Sequence, residues 1–227
     1  MTTRPSFWVF IFTFFVIFPA SASERIYVIG YVSHPGVKSF YKEVVQEAYE
    51  RLGLRVQFVE VSGERGLILL NEGLLDASTL RVESVLAPYK NIIAVQPPIA
   101  EANVNLYCRI QMICNENVLS DATKTVVTTR RLISVLMEAR SDLVIKASTL
   151  RVEDLNRVIQ LVSKGRYDYA IIASGTQEIP AFTTQGVNHV NLVKGRAVHA
   201  LYKQHSALAD AISTSIQQVL KERQSLQ

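Results

Sequence analysis

The sequence predicts an α/β protein of two similar lobes, each a small, mainly parallel sheet flanked by helices. Three observations predict it. Short β-branched runs alternate with helical stretches over residues 26–95, and the alternation begins again at Thr125. An internal echo then marks the same helix-to-strand joint in each half: Asn71-Glu72-Gly73-Leu74-Leu75-Asp76-Ala77 matches Ser163-Lys164-Gly165-Arg166-Tyr167-Asp168-Tyr169 in its Gly-x-x-Asp spacing. Alternation of this kind belongs to parallel sheets with crossover helices, and the right-handed rule fixes the winding of each unit. Any helix-to-strand link favours Gly and Asp, so the echo has weight only beside the alternation. A second echo, Ser78-Thr79-Leu80-Arg81-Val82-Glu83 against Ser148-Thr149-Leu150-Arg151-Val152-Glu153, falls at different places in the two halves and reads as coincidence.

The elements follow in order. Ile26 to Ile29 is a buried strand, and His34-Pro35-Gly36 is a turn. Phe40, Val44, Ala48 and Leu52 recur every four residues as one face of a helix, which Gly53 ends. Val56 to Val61 is the second strand. Leu67 to Leu70 with Leu74 is the next helix, Asp76-Ala77-Ser78 opens a third strand, and Ile92 to Val95 is a fourth that stops before Pro97-Pro98. Val104 to Tyr107 is a crossing segment between the halves. In the second half, Thr125 to Val127, Leu143 to Ile145 and Tyr169 to Ile172 are strands. Leu132, Ile133, Leu136 and Met137 make one helix face; Val152, Leu155, Val158, Ile159 and Val162 make another, capped by Gly165. Val198 to Tyr202 is a late strand. Ser206 is placed to cap a closing helix whose apolar stripe is Leu208, Ile212, Ile216 and Val219.

The chain of 227 residues is 48% hydrophobic and 19% charged, within range of one large or two small domains. Its formal net charge of +4 is spread along the chain without a basic stripe, which argues against a nucleic-acid partner. Arg4, the uncharged run Phe7 to Phe18, Pro19 and Ala20-Ser21-Ala22 together read as a signal peptide over residues 1–22, cleaved after Ala22. The apolar run is shorter than the ~20 residues a membrane span needs. Export opens the way to oxidation of Cys108 and Cys114. Two free thiols or a metal pair are the alternatives, but zinc needs further ligands and no histidine is near them in sequence. A structural disulfide is the reading taken, and no metal or cofactor is expected.

Several of these stretches carry a family likeness. Leu52-Gly53, Val56-x-Phe58 and Leu70-Asn71-x-Gly73-x-x-Asp76 resemble the first lobe of family 3 extracellular solute-binding proteins. Gly165 to Ile171 is similar to a joint of their second lobe, and Tyr202-Lys203-x-His205-Ser206-x-Leu208-Ala209 to their closing elements. The resemblance implies a two-lobed, periplasmic-binding-protein-like fold of type II, with residues 23–105 and 190–227 in lobe 1 and 106–189 in lobe 2. It implies a small solute in the cleft, closure by a hinge, and a membrane permease or membrane receptor as partner to a monomer in the periplasm.

In the family's amino-acid binders an Arg after the third strand holds the α-carboxylate; Arg81 is the match, able to offer two parallel hydrogen bonds. Thr or Ser residues open a second-lobe helix; Thr128 and Thr129 match, with Arg130 beside them. A surface ion pair for Arg81 and a plain N-cap for Thr129 are the bland readings. The expected ligand set is Tyr31, Arg81, Thr128 and Thr129, with Arg130 on the opposite wall. One departure is that Ala173-Ser174-Gly175 stands where those binders carry an acid for the α-amino group. The loop around Arg81 is also shorter than the family's usual pattern. The solute is therefore expected to be a small anionic organic molecule rather than an ordinary amino acid, delivered to a transporter or reported to a receptor. Some family relatives are periplasmic dehydratases of cyclic acids. Here no nucleophile elbow, metal set or close carboxylate pair appears; His34 beside Ser33 is placed for a cleft acid or base but reads as an ordinary turn residue, so no enzyme is expected.

Overall fold

β1 (Ile26–Tyr31), with its β-branched and aromatic residues, lies parallel to β2 (Arg55–Glu60) and to β3 (Ala77–Val82) in a computed structural model that describes residues 25–34, 36–130, 132–175 and 186–225. The expected signal peptide and its cleavage site lie outside the described residues. β10 (Arg196–Tyr202) runs antiparallel to both β3 and β4 (Ile92–Glu101), giving a first sheet in the order β2-β1-β3-β10-β4. The second sheet repeats the plan. β6 (Thr125–Thr129) is parallel to β7 (Ser148–Val152) and β8 (Tyr169–Ser174), while β5 (Asn103–Arg109) is antiparallel to β8 and β9 (Val187–Val193); the order is β7-β6-β8-β5-β9. Each sheet is thus mixed: four strands share one direction, and the strand that enters from the other lobe opposes them.

Helices cover both faces of both sheets. A wide single turn, Val37–Tyr41, leads into α1 (Lys42–Arg51), which packs with the C-terminal α6 (Ala209–Gln224) over Ile29, Tyr49, Ile212 and Ile216. α2 (Gly63–Asn71) covers the opposite face through Leu67 and Leu70. In lobe 2, α3 (Asn117–Ser120) and α4 (Leu132–Ala139) bury Leu119, Ile133 and Leu136 on one side; α5 (Leu155–Ser163) buries Val158, Ile159 and Val162 on the other. Burial of such side chains contributes about 1.5–3 kcal/mol each.

The Gly-x-x-Asp echo is a true structural repeat. Gly73 and Gly165 both take left-handed φ values, 75° and 65°, after a helix. Asp76 then accepts a hydrogen bond from the Val28 amide and pairs with Arg25, while Asp168 pairs with Arg109. The second echo falls in β3 of one lobe and β7 of the other, which hold different places in their sheets. Cys108 of β5 is bonded to Cys114, with Cα atoms 5.6 Å apart.

Several expected boundaries move. The second strand of lobe 2 is β7, not Leu143 to Ile145. That stretch is a loop whose continuation is pinned by the Lys146 and Ala147 amides, both donating to the Leu119 carbonyl. Val152 ends β7, and Asp154 caps α5 by accepting from the Asn156 amide. β4 runs on through Pro97-Pro98, which an edge strand tolerates because its outer amides need no partner. Ser206 lies inside a tight turn of helix (Lys203–Leu208) and caps nothing, and Leu74 lies beyond the end of α2.

The crossings between lobes also shift. Residues 103–109 and 187–193 both belong to the second sheet, so the expected boundaries at 105/106 and at Val190 fall inside β5 and β9. The chain changes lobe at Ala102 and again at Lys194-Gly195. There the Ala102 amide donates to the Gly195 carbonyl at 3.0 Å, and the Gly195 amide to Asn103 Oδ1 at 3.4 Å. A Cβ on Gly195 would stand 2.4 Å from the Ala102 carbonyl oxygen. Gly195→Val is therefore expected to cost about 1–3 kcal/mol by forcing the crossing strands apart. Thermal unfolding should show a fall of several degrees; an unchanged midpoint would mean that this crossing has slack.

Candidate functional site

The carboxyl ends of β1 and β3 in lobe 1 face those of β6 and β8 in lobe 2 across a cavity of about 540 Å³. Crevices at the carboxyl ends of strands in α/β sheets are where ligands bind. Most of the wall is apolar, with Val37, Leu67, Leu80, Leu132, Val135 and Leu155 contributing from both lobes. In this form the lobes are joined across the mouth, where Asn156 Nδ2 at the start of α5 donates to Ser33 Oγ at 2.8 Å.

Arg81 is the polar centre of the lobe 1 wall. It is buried, and no carboxylate faces it among the described residues. Nε donates to Ser78 Oγ at 2.7 Å and Nη1 to the Gly63 carbonyl at 3.0 Å, so the planar group is fixed on two sides. Nη2 has no partner among the described residues. Room for it comes from Gly66 in α2, where an added Cβ would stand 2.3 Å from Nη2. Burial pulls the guanidinium down to about 10, which still leaves it fully charged at neutral pH. An uncompensated buried cation is costly unless something of opposite charge arrives.

The other expected ligands divide. Thr129, at the end of β6, and Arg130 line the cavity, and Arg130 pairs with Glu153 on the same lobe. Thr128 does not line it: the side chain is buried and its hydroxyl donates to the Ile171 carbonyl at 2.9 Å. Tyr31 is also displaced. Its ring packs on Phe58 beneath Lys42, and its hydroxyl donates to Glu60 at 3.2 Å, outside the cavity wall. Both placements have one cause. Successive strand residues point to opposite faces, and a position next to one that lines the cavity serves the sheet instead.

Sequence reasoning weighed His34 as a cleft acid or base and set it down as a turn residue, and it passed over the acids at the cavity's edge; His34 lines the cavity. Glu60, Glu64, Glu101, Glu153 and Asp154 form an exposed acidic mouth. Glu60 is held below the usual carboxylate range by its hydrogen bond from Lys38, 2.9 Å away. No local motif marks these acids, because they are spread over residues 60–64, 101 and 153–154. Ala173, Ser174 and Gly175 do line the cavity, and Ser174 is buried, hydrogen-bonded to Asn105 and Tyr107 at 2.8 Å each. These three residues bring no acid to that part of the wall.

No family model matches the sequence, and no curated protein matches it significantly. Solved structures do match. One is the ancestral amino acid-binding protein AncCDT-1, a precursor of cyclohexadienyl dehydratase: TM-score 0.69, 17% identity, covering 86% of this chain and 90% of that one. Another is an amino acid ABC transporter substrate-binding protein from Streptococcus pneumoniae bound to L-arginine: TM-score 0.67, 17% identity, 88% and 91% covered. A third is a histidine kinase sensor domain with similarity to periplasmic binding proteins: TM-score 0.66, 15% identity, 88% and 92% covered. With two mixed sheets flanked by helices and facing each other across one cleft, the chain has the fold of the two-lobed periplasmic binding proteins.

Proposed function

We propose that this protein is a periplasmic solute-binding protein that captures a small organic solute by its carboxylate in the interlobe cleft. The observation that carries this is Arg81: a charged, buried guanidinium, fixed by two hydrogen bonds, with one nitrogen unpartnered and no acid against it among the described residues. An anion supplies what the site lacks. Thr129 and Arg130 stand across the cavity on lobe 2, so a solute touching both walls favours the closed form.

The solute is then handed to a membrane permease or reported to a membrane receptor. Neighbours of both kinds, a transporter's binding protein and a kinase sensor domain, share the fold. The reading is one of binding rather than catalysis, in a monomer exported by cleavage after Ala22. Native mass spectrometry of protein purified without denaturation tests it. The expected result is a retained small acid, released on unfolding. A retained solute with no acidic group would overturn the carboxylate reading.

A further inference from the structure

Arg81 is not the only unmatched donor in the cleft. His34 follows β1, the strand next to β3, and both His34 and Arg81 line the cavity. The Gly36 amide donates to His34 Nδ1 at 3.1 Å. That bond assigns Nδ1 as acceptor and places the proton on Nε2. Nε2 is buried and has no partner among the described residues. Burial also lowers the imidazole from its ordinary value, which keeps the ring neutral and its Nε2–H a donor at neutral pH. A buried donor without an acceptor costs free energy, and a partner brought by the solute recovers it.

We propose that His34 is a second solute-binding residue, and that the solute is an organic acid with an additional oxygen acceptor, a keto or hydroxyl oxygen, on an apolar carbon body. This rests on the carboxylate reading of Arg81. The carboxylate goes to Arg81, the second oxygen accepts from His34 Nε2–H, and the carbon body lies against Leu67, Leu80 and Leu132. An α-ammonium group suits this wall badly, because it only donates and both unmatched groups donate too. Of the acids at the mouth, Glu60 is engaged by Lys38, Glu153 by Arg130, and Asp154 by the Asn156 amide.

The test is calorimetry of the purified protein with three probes of one skeleton: 4-methyl-2-oxopentanoate, 4-methylpentanoate and L-leucine. The oxo acid is expected to bind about tenfold tighter than either of the others, the worth of one desolvated hydrogen bond. His34→Met should erase that preference, read as the ratio of the two acids' affinities in the same variant. His34→Gln, which keeps a donor, should retain part of it. Equal affinity of the wild type for the oxo and plain acids overturns the role of His34, and so does a preference that survives in His34→Met. If both acids then lose binding in Arg81→Met, the carboxylate reading still stands. L-leucine binding as tightly as the oxo acid overturns the solute class. So does failure of all three probes, in which case the retained solute decides the carboxylate reading separately.

Discussion

Arg81→Met is expected to weaken solute binding ten- to a hundredfold and to leave the unliganded protein as stable as before or more so. The two halves of that result have one cause. A charge-assisted hydrogen bond in a closed cleft is worth roughly 1.5–3 kcal/mol, and it is lost with the guanidinium. The same change relieves the unliganded fold of a buried charge that has no counter-ion among the described residues. Methionine fills similar space beside Gly66, and Ser78 Oγ keeps its bond to the Gly30 carbonyl. Calorimetry with the retained solute and thermal unfolding of the empty protein check the two halves. Unchanged affinity would return Arg81 to a structural role. A large loss of stability would show that its bonds to Ser78 and Gly63 matter more than its charge.

The second large effect is acid sensitivity at His199. This residue sits fully buried in β10, the strand that joins the two sides of the first sheet. Nδ1 lies 3.3 Å from the Thr79 carbonyl, which only accepts, so Nδ1 carries the proton; Nε2 then accepts from the Tyr49 hydroxyl at 3.0 Å. The neutral ring is fully matched. Burial pushes its pKa down to about 4. Below about pH 6.5 the unfolded chain takes up a proton that the folded chain refuses. Stability is therefore whole above that pH and falls as pH drops towards 4, by about 1.4 kcal/mol per unit and roughly 3 kcal/mol in all. Denaturant unfolding of the wild type and of His199→Gln isolates this group, since other titrations cancel in the difference. The wild type should be the more stable at pH 7, and the gap should close by about 2–3 kcal/mol at pH 4.5. A gap independent of pH would mean that His199 titrates at its ordinary value.

Much of this architecture was legible in the chain because apolar periodicity and helix-ending glycines are local signals. Gly73 and Gly165 marked equivalent joints correctly, and Cys108 and Cys114 were paired correctly. What escaped depends on neighbours distant in sequence. β7 is an edge strand with none of its residues fully buried, so Ser148–Val152 lacked the apolar signature that drew attention to Leu143 and Ile145. Arg81 was singled out as a residue after the third strand and lies within β3 itself, and nothing local reveals that it is buried without a counter-ion among the described residues. Thr128 and Tyr31 were each one position away from a residue that lines the cavity, Thr129 and Val32. His34 was weighed as a cleft acid or base and set aside as a turn residue; the packing that buries Nε2 is not visible in the sequence.

The position of β10 has a consequence for the order in which the protein is made. Lobe 2 is one unbroken stretch from β5 to β9, and its disulfide spans only six residues, so everything it needs has been synthesised by Val193. Lobe 1 is started first and finished last. β10 lies between β3 and β4, and α6 is tied to α1 by Arg223 with Glu43 and Glu47 and by Arg51 with Glu222. Until residues 196–224 emerge, β3 and β4 wait with open edges, the condition under which strands pair with the wrong chain. The nascent protein is thus most exposed to aggregation while its second half is already folded, and loss of its last 30 or so residues would ruin the lobe that carries Arg81 and spare the one that carries Thr129.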